Sequence, residues 1–237
     1  MSLCNHIIIL FINYYMKKFI FLAFCALTPI FLCSCDGVHD YEDRISQLRT
    51  DVFYYECEDY KLYAFAENSE TPAECDGIKG QTENKVVFRL NTSGGYPLSA
   101  SPKIEFSLEN KKHVGQFGFR PASASMDCTI PTETLPVGIL PVMLKINGEN
   151  VFIELYSLKN DRLISYKEVI KKLKYSNNNL VSGFTANPEN YELNIRLTEN
   201  DGYNFWCINI FGIGGESVFM LFDGENGEEI AVRNDEK

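Results

Sequence analysis

Alternation of apolar and polar residues is the main pattern along this chain, and it predicts a protein built from β-strands. Residues 103–108 and 191–197 alternate with a period of two, so each segment has one buried face and one wet face. The clearest signal is Asn147-Gly148 between the apolar runs 142–146 and 151–156, because Asn-Gly readily adopts the positive φ angles of a type I′ turn. The two runs are therefore predicted to form a hairpin.

Other segments extend this pattern and add one helix. Ser165 and Glu168 fit a capping box ahead of an apolar stripe, which predicts a helix over 166–174 that connects two β units. The polar stretch 67–84 is predicted to be a loop. Further strands are predicted in the aromatic-rich segment 51–65 and at 86–90, 203–211, 217–222 and 230–232.

Residues 85–158 contain a strand, then a Pro- and Gly-containing segment that leads into a hairpin, and then that hairpin. This order resembles the back half of an immunoglobulin-like β-sandwich, and the resemblance implies a fold but no function. The predicted fold class is all-β: an immunoglobulin-like β-sandwich plus a second small β unit, with one connecting α-helix. The predicted divisions are a signal peptide at 1–34, an acidic tether at 35–50, the sandwich domain at 51–160, the connecting helix at 161–175 and the C-terminal β unit at 176–237.

The first 34 residues contain no acidic side chain and have the layout of a secretory leader. Met16-Lys17-Lys18 precedes an apolar run over 19–31 that is short for a transmembrane helix, which needs about 20 apolar residues. The run ends in Leu32-Cys33-Ser34-Cys35, which resembles the lipobox of bacterial lipoproteins. That resemblance implies that Cys35 carries lipid once the leader is removed, whether translation starts at Met1 or at Met16.

An uncleaved membrane anchor over residues 7–34 is the alternative to a leader. Lys17 and Lys18 disfavour it, since a charge near the middle of a bilayer is costly. The acidic residues that follow Cys35 resemble an export signal to the cell surface, whereas Asp36 alone resembles an inner-membrane retention signal of other lipoproteins. Because the acidity is spread over several positions, we expect an outer-membrane, cell-surface protein whose lipid anchor contacts the membrane.

The negative net charge of the chain limits the kinds of molecule that it is expected to bind. The chain has 32 acidic and 22 basic residues, and its formal net charge is −10. Nucleic acid is therefore not expected as a partner, because phosphate recognition needs a basic face. No cofactor motif and no zinc-ligand spacing occurs in the sequence, so neither a cofactor nor a metal is predicted.

Four cysteines follow the predicted leader and Cys35, and an exported protein would meet oxidising conditions. They are Cys57, Cys75, Cys128 and Cys207, and they allow three disulfide connectivities. A Cys57–Cys75 disulfide is predicted because it would close a short polar loop. Buried free thiols are the alternative for some of the four.

A group of tyrosines is the candidate ligand-binding feature. Tyr54, Tyr60 and Tyr63 suit stacking against a sugar, since flat rings with a polar hydroxyl bind carbohydrate and protein surfaces. Packing inside the protein is the alternative, because strands send neighbouring tyrosines to opposite faces. No catalytic residue is predicted: His39 and His113 fit no triad pattern, and the sequence alone selects no carboxylate pair.

These observations predict a non-catalytic, lipid-anchored envelope protein whose β-sandwich binds an extracellular protein or glycan. One alternative is an envelope hydrolase that acts on glycans through paired carboxylates, one of which has a raised pKa. Another alternative is a fimbrial-type subunit that assembles by exchange of an edge strand.

Overall fold

Strands carry most of the fold. The computed structural model describes residues 39–72, 74–92, 101–108, 110–121, 124–131, 135–136 and 138–235; the predicted signal peptide and Cys35 lie outside these residues. The strands are β1 (Ile45–Glu56), β2 (Tyr60–Glu70), β3 (Thr82–Thr92), β4 (Lys103–Leu108), β5 (Lys111–Gln116), β6 (Gly118–Arg120), β7 (Ser125–Ile130), β8 (Ile139–Ile146), β9 (Glu149–Ser157), β10 (Tyr191–Asn200), β11 (Tyr203–Gly212), β12 (Ser217–Asp223) and β13 (Glu229–Asp235). The α-helices are α1 (His39–Glu42), α2 (Tyr166–Lys172) and α3 (Asn179–Ala186).

β1 is the strand around which the sheet is organised. One run of hydrogen-bonded strands has the order β13-β12-β11-β10-β1-β2-β3-β7-β6. A second run, β5-β4-β8-β9, joins the first where β9 pairs with β1. The described strand pairs are antiparallel except for β1 with β10, which is parallel. The result is a large sheet folded into a nearly closed, barrel-like sandwich.

The two halves of β1 have different neighbours along one edge. Residues 45–49 pair with β10, and the pairing with β2 shifts register between Arg49 and Asp51. The second half pairs instead with β9, through Phe53 and Tyr54. An irregularity of this kind bends and twists a strand, so β1 contributes to two parts of the sheet that diverge from each other.

The first hydrophobic core fills the sandwich. Alternate residues of β2, including Leu62 and Ala64, face this core and are fully buried. Strand β5 lies close to β7, because a Cβ atom at Gly115 would be 2.2 Å from the sulfur of Cys128, and only glycine permits that approach. Strands β4, β8 and β9 complete the core with Ile104, Phe106, Leu140, Val142, Leu144, Ile153 and Leu155.

The second hydrophobic core lies between the helices and β10–β12 and extends to Ile45, Val52, Phe65 and Val87 of β1–β3. Both longer helices begin at side-chain caps. Ser165 Oγ accepts from the backbone N–H of Glu168 at 3.3 Å, and the Glu168 carboxylate accepts from the backbone N–H of Ser165 at 2.8 Å. Asn178 caps α3 with its side chain alone, which accepts from two backbone N–H groups. The residues that the two helices bury are Val169, Ile170, Val181 and Phe184.

The all-β fold class predicted from the sequence is confirmed. The capping box at Ser165 is present, and so is the hairpin at Asn147-Gly148, whose φ angles are 51° and 88°. One helix differs from expectation: the sequence predicts one connecting helix and a β unit over residues 176–237, whereas Asn178 caps a further helix, α3, inside that range. An asparagine that accepts backbone N–H groups serves at the start of a helix as readily as in a turn.

Three strand ends also differ from the prediction. The sequence predicts a tether through residue 50 and a loop over 67–84. In the structure β1 begins at Ile45, β2 extends to Glu70 and β3 begins at Thr82. Partner strands hold these polar ends in place, with β10 and β2 on the two edges of β1, so no local apolar pattern reveals them.

Candidate functional site

A polar groove crosses the face of the sheet formed by β10, β1, β2, β3 and β7. Its volume is about 440 Å³, which is within the range of about 300–1,000 Å³ for small-ligand pockets. Its cationic lining residues are Arg49, Lys85, Arg89, Arg120 and Arg196. Its acidic lining residues are Glu67, Glu70, Glu74 and Asp127. The groove is therefore slightly positive in a chain whose net charge is −10.

Strand register brings these charges together. Arg196 of β10 lies opposite Arg49 of β1, Arg49 lies opposite Glu67 of β2, and Glu67 lies opposite Lys85 of β3. Residues paired in this way share a face of the sheet, with their Cβ atoms about 5 Å apart. Four charged side chains from four strands therefore form a charged row across the groove.

Arg49 and Glu67 form a nearly buried ion pair in the charged row. Arg49 donates from Nε and Nη2 to Glu67 Oε2 at 3.1 and 2.6 Å, and the two side chains are 15% and 7% exposed. The guanidinium carbon also lies 3.6 Å from the ring centroid of Phe65, a cation–π contact. Burial would raise the pKa of Glu67, but Arg49 brings that pKa below its ordinary value, so the carboxylate stays ionised.

A second ion pair lies at the β7 end of the groove. Arg89 donates from Nε and Nη2 to the two carboxylate oxygens of Asp127, at 3.0 and 2.8 Å. Arg120 Nε lies 3.5 Å from Asp127 Oδ2, and Ser125 Oγ donates to Oδ1 at 3.0 Å. Burial opposes ionisation of Asp127, but these partners lower its pKa overall. Two arginines share one carboxylate, so positive charge is in excess here too.

Arg196 has a different kind of partner. Its Nε donates to the neutral Oε1 atom of Gln47 at 2.7 Å. No carboxylate of the residues that the structure describes lies within ion-pairing distance of its guanidinium. Arg196 is partly buried, and a hydrogen bond between charged groups is strongest where water is partly excluded. An anion bound here would therefore find an uncompensated, half-desolvated positive charge.

The segment between β2 and β3 forms one rim of the groove. Cys75 lies on this rim, and its sulfur accepts a weak hydrogen bond from Asn194 Nδ2 at 3.9 Å. Burial raises the pKa of the Cys75 thiol, so the thiolate that a nucleophile requires is disfavoured at neutral pH. The groove thus offers hydrogen-bonding groups at this rim and no activated sulfur.

Glu192 is buried behind the same rim. Its Oε1 faces the backbone N–H of Gly77 at 3.5 Å, and its Oε2 has no hydrogen-bond partner among the described residues. Burial raises the pKa of Glu192 to about 7, and the nearby Glu70 adds to the effect. Glu192 does not line the groove, so its titration concerns the stability of the rim rather than ligand contact.

The structure does not bring Cys57 and Cys75 together. Cys57 precedes β2 and Cys75 follows it, and the 11-residue strand between them spans about 35 Å at roughly 3.3 Å per residue. Disulfide-bonded residues have Cα atoms about 4.4–6.8 Å apart. The thiols of Cys57, Cys75, Cys128 and Cys207 are free. The stretch that the predicted disulfide would close is in large part a strand rather than a short loop.

The three predicted ligand-stacking tyrosines divide between the two faces of the sheet. Tyr54 and Tyr63 lie opposite each other on the groove side, with ring centroids 5.1 Å apart. Tyr60 faces the sandwich core, where it is 7% exposed and packs against Tyr55, and burial raises the pKa of its hydroxyl to about 12. Tyr156 of β9 lies opposite Tyr54 and is 55% exposed. Tyr156, rather than Tyr60, therefore completes the group on the groove side.

Sequence reasoning missed the charged residues of the groove. Arg196 and Gln47, which are hydrogen-bonded, are 149 positions apart, so no local motif connects them. One local signal did exist in Lys85-Val86-Val87-Phe88-Arg89, where charges at the two ends share a face and Phe88 lies on the opposite one. Charged residues on one face of an otherwise apolar strand indicate that this face is accessible to solvent.

Comparison with known protein families, characterised proteins and solved structures gives no match for this chain. Within the part of the chain that the structure describes, no helix is long and apolar enough to cross a membrane. The same residues contain no group of three or more His, Cys, Asp or Glu side chains placed to hold a metal ion. The charged groove is the feature of this fold with the clearest chemistry.

Proposed function

We propose that this chain is a lipid-anchored protein of the cell envelope that binds an anionic ligand in the groove and does not transform it. The observation that carries the proposal is Arg196, a partly buried cation whose hydrogen-bond partner, Gln47, is neutral. Carboxylate or sulfate groups would pair with this guanidinium and with the shared arginines at Asp127. The groove has a small excess of positive charge although the whole chain is acidic. This local charge favours a specific anion site over general electrostatic attraction of anions to the protein.

The ionisation of Glu67 and Asp127 supports binding over hydrolysis. Hydrolysis by paired carboxylates needs a general acid that holds its proton near neutral pH. The pKa values of Glu67 and Asp127 are instead lowered, because Arg49 and Arg89 outweigh the effect of burial. Glu192, a carboxyl group whose pKa is raised, does not line the groove.

Replacement of Arg196 tests the anion site. The full-length protein in detergent is titrated with fluorescently labelled poly-L-glutamate and hyaluronan, with neutral dextran for comparison. We expect at least one polyanion to bind, and Arg196→Gln to weaken that binding about tenfold or more, since a charge-assisted hydrogen bond is worth roughly 1.5–3 kcal/mol. Added salt should weaken binding as well.

Arg162→Gln is the matched control for this experiment. It removes the same charge from a side chain that is 79% exposed and that pairs with Glu225 rather than with the groove. Equal effects of the two substitutions would mean that net charge, and not the groove, attracts the polymer. Absence of binding to every polyanion would overturn the proposed function.

The lipid anchor is proposed from the sequence around Cys35 and has a separate test. Cells that produce the protein are labelled with radioactive palmitate, and Cys35→Ala is compared with Cys33→Ala. Label should be lost in Cys35→Ala and kept in Cys33→Ala, because only a cysteine that follows a small residue fits the lipobox. Undiminished labelling of Cys35→Ala would contradict the anchor and leave the groove proposal standing.

A fimbrial-type subunit is the second candidate function, and the edge strand β13 favours it. All seven residues of β13 are exposed, and among the described strands it pairs with β12 alone. An exposed edge of this kind can be exchanged between copies. Size-exclusion chromatography before and after limited trypsin treatment distinguishes the two roles: ordered polymers would favour the fibre, and a stable monomer would exclude it.

A further inference from the structure

We infer that the anionic ligand of the groove is an acidic glycan, with neutral sugar rings stacked on Tyr156, Tyr54 and Tyr63. We call these three residues the tyrosine row. This inference rests on the proposed function and names the class of ligand at the same site. It draws on strand register, ring geometry and the distribution of charge on one face of the sheet.

The tyrosine row runs directly into the charged groove. Tyr156 of β9 lies opposite Tyr54 of β1, and Tyr54 lies opposite Tyr63 of β2, so the three side chains share a face. Tyr63 in turn lies opposite Arg89 of β3, which lines the groove and holds Asp127. A ligand that lies along this line would contact three aromatic rings and then a guanidinium.

Two of the three rings are fixed by hydrogen bonds. The Tyr54 hydroxyl donates to the Glu56 carboxylate, and the Tyr156 hydroxyl donates to Glu154 Oε2 at 3.3 Å. In each case the carboxylate lies two residues away on the same strand and therefore on the same face. The row thus combines flat apolar surfaces with carboxylate oxygens, which accept hydrogen bonds from sugar hydroxyls.

The distribution of charge predicts how the sugars are arranged. Glu154 would repel a carboxylated sugar at the tyrosine row, where Glu56 is already ion-paired with Lys61 at 2.8 Å, whereas Arg49, Arg89 and Arg196 attract one in the groove. The glycan should therefore carry a neutral sugar beside an acidic one. A uniformly charged chain would be less well accommodated over the rings.

The dimensions of the site suit an oligosaccharide better than a small anion. Tyr63 and Arg196 are separated by four residues along the strand direction and by two strands, which is about 16 Å. An isolated anion would reach the arginines and leave the tyrosine row uncovered. An acidic peptide would supply charge but no sugar face for the rings.

Three polymers separate these ligand classes. Hyaluronan alternates an acidic with a neutral sugar, poly-L-glutamate has carboxylates without sugars, and dextran has sugars without charge. Binding to each is measured by fluorescence anisotropy on the full-length protein in detergent. We expect hyaluronan to bind more tightly than poly-L-glutamate, and dextran to bind weakest.

Tyr156→Ala is the deciding variant, because its exposed ring can be removed without opening a core. It should weaken hyaluronan binding about three- to tenfold and leave poly-L-glutamate binding unchanged. Tyr175→Ala is the control, since Tyr175 is 73% exposed and lies in the helical segment after α2. This control should bind hyaluronan as the wild type does.

The outcomes distinguish this inference from the proposed function. If Arg196→Gln reduces polyanion binding but Tyr156→Ala leaves hyaluronan binding intact, the anion site stands and the glycan assignment is wrong. Preference for poly-L-glutamate would also overturn the assignment, in favour of an acidic protein partner. Failure of all polyanions to bind would remove both conclusions.

Discussion

The two faces of β2 offer an instructive comparison, because one strand supplies both with alternate residues. Toward the sandwich it presents Leu62 and Ala64, which are fully buried among apolar side chains. Toward the groove it presents Glu67 and Ser69, which are 7% and 4% exposed and are nearly as inaccessible. The two sides of β2 are therefore buried to a similar extent, but one side is apolar and the other is polar and charged.

The energetics of the two faces differ in the same way. Burial of apolar surface stabilises the fold by roughly 25 cal/mol per Å². A buried ion pair such as Arg49–Glu67 gains little or nothing net, since desolvation of both charges offsets their attraction. Apolar burial on the sandwich face stabilises the fold, whereas the charges on the groove face add little net stability and are available for the ligand proposed above.

The largest effect is expected inside the sandwich. Leu62→Ala leaves a cavity in a fully buried position and should lower the free energy of unfolding by about 4 kcal/mol. Urea denaturation measures this as a shift of the midpoint. Lys61→Ala, at a neighbouring position that is 42% exposed, should change stability by about 0.5 kcal/mol or less. Equal effects of the two substitutions would contradict the assignment of these faces.

The next largest effect is expected in the groove. Glu67→Gln leaves Arg49 nearly buried without its counter-charge and should destabilise the protein by about 3 kcal/mol. The double variant Arg49→Met, Glu67→Leu should recover most of that loss while polyanion binding stays impaired. A double variant as unstable as Glu67→Gln alone would show that the ion pair is a structural element in its own right.

The rim of the groove should respond to pH through Glu192. Its pKa in the folded protein, about 7, exceeds the ordinary value of 4.5, so folding favours the protonated form. Stability should be highest below pH 4.5 as far as this group is concerned, and should fall as the pH rises toward 7, by up to about 3 kcal/mol. Glu192→Gln should flatten the dependence between pH 5 and 8 in urea denaturation. An unchanged pH profile would place the titration elsewhere.

The smallest effect is expected away from both faces, at the start of α2. Ser165→Ala removes one half of the capping box and should cost about 1 kcal/mol. Ser165→Asp should retain most of the stability, because its carboxylate can accept the same backbone N–H groups. Thermal unfolding followed by circular dichroism measures both, and a loss in Ser165→Asp as large as in Ser165→Ala would argue against capping as the cause.

The sequence predicted those features that depend on neighbours in the chain. The hairpin at Asn147-Gly148 and the capping box at Ser165 each follow from a few adjacent residues, and both are present. The sequence grouped Tyr54, Tyr60 and Tyr63 as one stacking set, whereas Tyr60 lies in the sandwich core. That Tyr156 lies beside Tyr54 instead depends on the pairing of β9 with β1. The groove itself depends on the register of β1 with β10, two strands that are separated by most of the chain.

The parallel pairing of β1 with β10 has a consequence for biosynthesis. Residues 45–49 leave the ribosome long before residues 193–196 have been made. Contacts between such distant segments form late, because the entropy cost of closing a large loop comes before the favourable energy of the contacts. One edge of the first half of β1 thus stays unpaired until the final third of the polypeptide has been made, whereas its other edge can pair with β2 as soon as residue 70 has been synthesised.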